Sequence, residues 1–245
     1  MKPTLSIAVL SVASVALAVG NYAPEELAPI LSDCSVEKTW SIFCLTEQVN
    51  DGAWVYMYDI GKLLSAAGGK GTFFVNGNNR KCIYKDNGKR IRWLYKHGHQ
   101  ISSLTRDHKS LPSQPLEAMA TEMEKPQEAF TKLLGVTSRF LRPPSETSTR
   151  TPIVKWSYDA GDSAKNANVK EVIDGFRRQF NKKPHSILAS LLETSESTAH
   201  QVLPAVIKMA RVAGYKFVSV AECLGQPPYN QIMPYPVNIT TTYSC

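Results

Sequence analysis

The stretch Gly71-Thr72-Phe73-Phe74-Val75-Asn76-Gly77-Asn78-Asn79 has the composition of a buried β-strand, Gly71–Val75, that ends in a polar turn. Helical patterns stand on both sides of it, at Tyr58–Ala67 and Lys89–His97, and the second runs into Gly98, a natural left-handed C-cap. Short apolar runs and helical patterns go on alternating toward the C-terminus. This alternation predicts an α/β fold with a mostly parallel sheet.

The same periodicities predict the remaining elements. Further strands are expected at His99–Ser102, Phe140–Leu141, Ile153–Ser157, Ile187–Ser190 and Phe217–Val220. Further helices are expected at Leu116–Leu134, Val169–Phe180 and Thr198–Ala213. Pro126 lies inside the first of these helices, where it removes a backbone hydrogen bond and crowds the preceding turn. We therefore expect a kink or a break there.

Residues 1–18 have the layout of a cleaved secretory signal: Lys2, an apolar run, and the small-residue triplet Ala16-Leu17-Ala18. The run is too short to span a bilayer, and no other stretch reaches membrane length. We expect a secreted protein, extracellular or in a cell wall, with no membrane partner. The formal net charge of +7 is spread over short clusters rather than one stripe, which argues against nucleic acid as a partner.

Several short motifs, taken in order and spacing, carry a specific resemblance. They are Asn50-Asp51-Gly52-Ala53, Gly71–Asn79, Gly98-His99-Gln100-Ile101, Ser103–Lys109, Arg142-Pro143-Pro144 and Trp156–Ser163. Together they resemble the polysaccharide deacetylases (NodB-homology carbohydrate esterases), and most closely their fungal chitin deacetylase branch. The resemblance covers residues 34–225 and implies a distorted (β/α) barrel with its site at the C-terminal ends of the strands. The distance from Arg142 to Trp156 is too short for the helix and strand that relatives place there, so we expect one βα unit to be missing.

Five cysteines in an exported chain suggest two disulfides and one remaining thiol. The resemblance implies a bond between Cys34 and Cys223, which leaves Cys82 to pair with Cys245. Cys44 is the expected odd cysteine, because residues 40–47 look inserted relative to relatives. Residues 226–245 are expected to be a Pro-rich tail with a glycosylation sequon at Asn238.

The family uses a divalent metal, Zn²⁺ or Co²⁺, held by one Asp and two His. The resemblance places Asp51 and His108 at two of these ligand positions, whereas Leu104 replaces the third. A catalytic zinc usually has three protein ligands, so we expect the metal site to be weak or absent. Asp107 is the one nearby residue that could take over, although adjacent side chains seldom converge on one ion.

The acid and base positions of the family are also replaced. Asn50 stands where the resemblance places the general base, and Leu192 stands where it places the catalytic acid. Arg142, which in relatives orients the base, and Asp162, which tunes the acid, are retained. Leu104 and Leu192 are expected to put apolar side chains into a polar cleft.

The motifs nevertheless keep residues suited to holding a sugar chain. Trp54, Pro143, Pro144 and Trp156 are the candidate contacts to it. We therefore predict a monomeric pseudoenzyme that binds chitin or chitin oligomers. The alternatives are a weakly active metal-dependent deacetylase, with Asp107 or Glu193 in a new role, and a protein with neither property.

Overall fold

The computed structural model describes residues 29–34, 42–49, 55–79, 82–144, 151–164, 166–191, 195–234 and 244–245. The predictions for residues 1–18 and for Asn50, Asp51, Trp54, Leu192 and Asn238 lie outside these residues. Within them, no helix combines the length and the apolar character needed to cross a membrane.

Short strands alternate with helices along the described chain. The strands are β1 (Ile30–Leu31), β2 (Ile42–Val49), β3 (Thr72–Val75), β4 (Gln100–Ser103), β5 (Val136–Ser138), β6 (Ile153–Val154), β7 (Tyr158–Asp159), β8 (Ser186–Leu191), β9 (Lys216–Val218) and β10 (Tyr229–Ile232). The α-helices are α1 (Val55–Ala66), α2 (Asp86–Lys96), α3 (Leu116–Leu134), α4 (Val169–Asn181), α5 (Leu203–Val212) and α6 (Val220–Leu224).

Strand β2 is the centre of a parallel sheet, since it pairs with β3, β8 and β9. On one side β3 pairs with β4, and single bridges continue from Ser103 to Leu141 and from Leu141 to Ile153 in β6. On the other side β8 pairs with β7, and the chain runs directly from β6 into β7. The hydrogen-bonded strands thus follow one another around a distorted α/β barrel, as the sequence predicts.

The main core lies between the sheet and the helices outside it. Phe43 in β2 is fully buried, and its ring meets those of Phe176 and Phe180 from α4 at centroid distances of 6.0 and 5.4 Å. Phe217 from β9 completes this contact at 5.1 Å. Aromatic burial of this kind fixes the central strand against helix α4.

Residues 42–49 correct one expectation. The stretch 40–47 around Cys44 was expected to be an insertion, but residues 42–47 belong to β2 and pair with Ser186–Leu191 over six positions. Polar Glu47 and Gln48 near its end obscure the apolar run of a buried strand in the sequence.

Several predicted boundaries differ from the structure. Helix α3 runs through Pro126 without a break, because the buried ring joins Ala129, Phe130 and Leu133 on the core face of the helix. Of the predicted strand 153–157 only Ile153–Val154 is strand, as β6; β7 begins beyond it at Tyr158, and Leu141 forms only single bridges. Val220 begins α6 instead of ending a strand, and a π-helical turn at Thr198–Val202 precedes α5. The described residues between Leu141 and Ile153 contain no helix.

Two disulfides join distant parts of the chain. They link Cys34 to Cys223 and Cys82 to Cys245, which is the pairing that the resemblance implies. In the chain-entropy model, loops of this length are worth roughly 4–5 kcal/mol each. Part of the expected tail packs on the domain, since β10 pairs with β5.

His99, directly before β4, is a buried histidine that should make stability depend on pH. Gly71 N–H donates to its Nδ1 at 3.2 Å, so the ring proton is on Nε2, 2.9 Å from Ser65 Oγ. Burial, assisted by the charge of Lys70, lowers the pKa of His99 to about 4. Its protonated form is therefore disfavoured in the folded state.

We expect the free energy of unfolding to fall as the pH drops from 6.5 toward 4, by about 3 kcal/mol from His99, because only the unfolded chain is protonated in this range. Urea unfolding at a series of pH values measures this. The variant His99→Gln should be less stable at neutral pH but lose less stability on acidification. An equal loss of stability in both proteins would contradict the assignment of this pH dependence to His99. The variant His108→Gln is the matched comparison, because burial also lowers the pKa of His108.

Candidate functional site

The predicted site residues follow the ends of parallel strands. Strands β2, β3, β4 and β8 run in the same direction, so the residues that follow them share one edge of the barrel. The described segments at this edge include residues 76–79 after β3, 104–109 after β4, 142–144 after Leu141, 155–157 after β6 and 160–164 after β7. We refer to residues 104–109 as the 104–109 loop.

Leu104 lies in an apolar environment. Its side chain is 0% exposed and belongs to a cluster with Phe74, Phe140, Val154, Leu188 and Val218. The expectation that Leu104 projects into a polar cleft is therefore wrong, because the side chain packs inward against the barrel strands. The position that the resemblance predicts as a metal ligand is part of a hydrophobic cluster.

His108 and Asp107 lie on a backbone with unusual geometry. Thr105 and His108 both have left-handed conformations, with φ of 67° and 59°. For a β-branched residue such as Thr105 this conformation costs roughly 1–2 kcal/mol. Burial lowers the pKa of His108, so the neutral imidazole is favoured.

Asp107 is held by charges of its own loop. Its Oδ2 lies 2.9 Å from Arg106 and 3.1 Å from the Lys109 ammonium group. Both cations contact Oδ2, whereas Oδ1 is buried and has no hydrogen-bond partner among the described residues. Of the two carboxylate oxygens of Asp107, Oδ1 is therefore the one left to contact a further group.

Two side chains that the sequence analysis did not select hold the 104–109 loop. The amide of Asn76, fully buried, donates to the carbonyl oxygens of Leu104 and Thr105 at 2.7 and 3.3 Å. The carboxylate of Glu122, 3% exposed in α3, accepts from the N–H of Asp107 at 2.8 Å. A charged residue on the otherwise apolar face of α3 is the sequence signal that could have identified Glu122.

Arg142 is the largest fully buried side chain of the described chain, at 1% exposure. Its Nε donates to the carbonyl oxygen of Val154 at 3.1 Å, and one terminal nitrogen donates to Ser190 Oγ at 3.1 Å. The guanidinium also lies 4.3 Å from the ring centre of Phe74 and 5.1 Å from that of Trp156. Arg142 therefore joins β6, β8 and the partly exposed Trp156 at the site edge.

Asp162 lies beside the start of the helical segment that leads into α5. Its Oδ2 accepts from Thr198 Oγ1 at 3.3 Å, and Thr198 also contacts Ser195 Oγ at 3.0 Å. Burial raises the pKa of the neighbouring Tyr158, with Asp159 and Asp162 adding to the effect. Pro143 and Pro144 follow Arg142 and are partly exposed.

The described part of the site does not fit a divalent metal. No group of three His, Cys, Asp or Glu side chains able to hold an ion occurs among the described residues. Of the predicted ligands, His108 lies in the described part of the chain. Leu104, at the predicted position of another ligand, has only a buried hydrocarbon side chain.

Comparison with known proteins supports these structural findings. Residues 47–173, more than half of the chain, match the polysaccharide deacetylase family. A chitin deacetylase of Pestalotiopsis sp is 29% identical over 212 residues, which cover 82% of this chain and 68% of that protein.

Two solved structures share the fold. The chitin deacetylase of the fungal pathogen Colletotrichum lindemuthianum superposes with a TM-score of 0.74 at 22% identity, covering 83% of this chain and 96% of that one. A mutant of a pseudoenzyme of the CE4 family, with restored enzymatic activity, gives a TM-score of 0.64 at 17% identity, covering 80% and 71% of the two chains.

The burial of Leu104 leads to a prediction about the free energy of unfolding. We expect Leu104→Ala to lower the free energy of unfolding by roughly 2–5 kcal/mol, because it leaves a cavity in the apolar cluster. Leu104→Met, which conserves volume, should cost less than about 1.5 kcal/mol. Urea unfolding measures both. A change below about 0.5 kcal/mol for Leu104→Ala would place the side chain in an open cleft instead.

Proposed function

The chain belongs to the polysaccharide deacetylase family, and from this premise we propose that it is a chitin deacetylase-like pseudoenzyme. It binds N-acetylglucosamine polymers, such as chitin or chitin oligomers, and leaves their acetyl groups in place. The observation that carries the proposal is the complete burial of Leu104 at a metal-ligand position. A leucine side chain has no lone pair to offer an ion, and here it serves the packing of the cluster.

The other two replacements point the same way. Asn50 has an amide where the family has its general base, and an amide cannot accept the proton of an attacking water. Leu192 has no ionisable group where the family has its acid. General acid–base help is typically worth 10²–10⁴-fold in rate, and here both partners are missing together with a metal ligand.

Sugar binding requires only the retained motif residues at this edge of the barrel. The partly exposed Trp156 ring can stack on the apolar face of a sugar ring, and its position is fixed by the guanidinium of Arg142. Pro143 and Pro144 extend the same edge with a backbone of restricted flexibility. We propose Trp54 as a further contact from the segment after Asp51.

The proposed setting is outside the cell, where the protein acts as a glycosylated monomer. Two disulfides support this, because such bonds persist mainly in oxidising environments. The signal-like residues 1–18 and the sequon at Asn238 are consistent with export.

Zinc titration tests the loss of the metal site. We expect no submicromolar one-to-one binding of Zn²⁺ to the purified chain in calorimetry, because Leu104 removes one of three protein ligands. The matched variant Leu104→His should bind more tightly than the unchanged chain if it folds. A submicromolar site in the unchanged chain, lost in Asp51→Ala or His108→Ala, would contradict the proposal.

Reversion of the three positions tests the pseudoenzyme proposal itself. We expect acetate release from chitin oligomers with Zn²⁺ or Co²⁺ to stay at background for Asn50→Asp, Leu104→His or Leu192→His alone, since groups acting as one unit are not additive. Only the triple variant should release acetate, and adding Asp51→Ala should abolish this. Restored activity is known for one pseudoenzyme with this fold.

Binding is measured separately, by calorimetry of the unchanged chain with chitin oligomers. Trp156→Ala should weaken that binding, and Trp93→Ala, which removes a tryptophan of α2 away from the site edge, is the control. Metal-dependent acetate release by the unchanged chain, abolished in Asp51→Ala, would favour a weakly active deacetylase instead.

A further inference from the structure

The disulfide between Cys82 and Cys245 sits on the turn that follows β3. Asn78 and Cys82 form an antiparallel bridge across this turn, and the N–H of Ile83 donates to the carbonyl oxygen of Gly77 at 3.0 Å. The Sγ atom of Cys245 lies 3.4 Å from the same carbonyl oxygen. Cys245 is thus fixed against the described residues of this turn, 77–79 and 82, which we refer to as the turn 77–82.

Backbone hydrogen bonds join the turn 77–82 to the 104–109 loop. Gly77 N–H donates to the carbonyl oxygen of Thr105 at 3.3 Å, and Asn78 N–H donates to that of Arg106 at 2.8 Å. A Cβ added at Gly77 would be in ordinary van der Waals contact with the Cα of Arg106, at 3.6 Å. The two segments are therefore neighbours, and the disulfide lies on the first of them.

The 104–109 loop needs such support because its conformation is unfavourable. Thr105 and His108 have positive φ angles, and Thr105 is fully buried with a β-branched side chain. Strained backbone of this kind persists only where surrounding contacts over-determine it. Asn76 and Glu122 supply some of these contacts, and the turn 77–82 adds two backbone hydrogen bonds.

We propose that the disulfide Cys82–Cys245 is a clamp that holds the 104–109 loop in its strained conformation at the binding edge. The clamp acts through the turn 77–82 and leaves the barrel itself unchanged. Cys82, Cys245 and Asn78 are positioning residues, since they act on the loop through backbone contacts. The consequence for glycan affinity rests on the proposed function, whereas the conformational role does not.

Amide hydrogen exchange of the full chain, followed by NMR, separates a local clamp from general stabilisation. The test variant is Cys82→Ser with Cys245→Ser. The matched control is Cys34→Ala with Cys223→Ala, which opens a bond of similar span, 189 residues against 163, and keeps an apolar side chain at position 223 in the cluster that also holds Leu104. The reporters are three backbone amides, those of Gly77 and Asn78 in the turn and that of Asp107 in the 104–109 loop. The reference is the amide of Ser157, which donates a hydrogen bond to the carbonyl oxygen of Leu188.

In the test variant we expect the three reporter amides to exchange at least about tenfold faster than in the unchanged chain, after correction for any change at Ser157. In the control variant their exchange rates should stay within about twofold of those in the unchanged chain. Equal acceleration of loop and reference amides in the test variant would overturn the clamp, as would equal loop acceleration in both variants. A second arm measures affinity for chitin oligomers, which should fall more in the test variant than in the control. Absence of binding in the unchanged chain contradicts the proposed function, and the exchange result still decides the clamp.

Discussion

The parallel pairing of β2 with three other strands is the constraint on which the rest of the structure depends. It fixes the direction and register of β3, β8 and β9, and thereby brings the segments that follow these strands to one edge. A shift of one residue would turn Phe43 out of the core, because side chains alternate along a strand. The site is therefore a consequence of strand register as much as of its own residues.

Under the proposed function, the replacement of a ligand by leucine at position 104 has a physical reason. An imidazole held near a metal position without the metal must be desolvated and hydrogen-bonded, or it destabilises the fold. A leucine at the same place stabilises by roughly 2–3 kcal/mol through burial, and it does so at Leu104 within an existing apolar cluster. Under this proposal the exchange increases the stability of the fold at a position where a metal ligand is no longer required.

Much of the fold follows from periodicity, since β3, β4, α2 and α4 lie close to their predicted positions. Strand β2 escaped prediction because polar Glu47 and Gln48 interrupt its apolar pattern, and its pairing is set by distant strands. Family resemblance identified Leu104 as a ligand position but could not show where its side chain packs. Asn76 and Glu122 were missed for the same reason, because their partners are 28 and 15 residues away in the sequence.

Arg142 shows why a retained motif residue does not by itself indicate activity. Its guanidinium bonds to Val154 and Ser190 and lies against Phe74 and Trp156, so its removal would disturb the barrel whether or not a reaction takes place. Residues with such structural contacts stay useful after catalysis is lost. Positions 50, 104 and 192 differ, because the resemblance predicts proton transfer and metal binding for them. Under the proposed function a loss of activity should first be visible at these positions, where the chain has Asn50, Leu104 and Leu192.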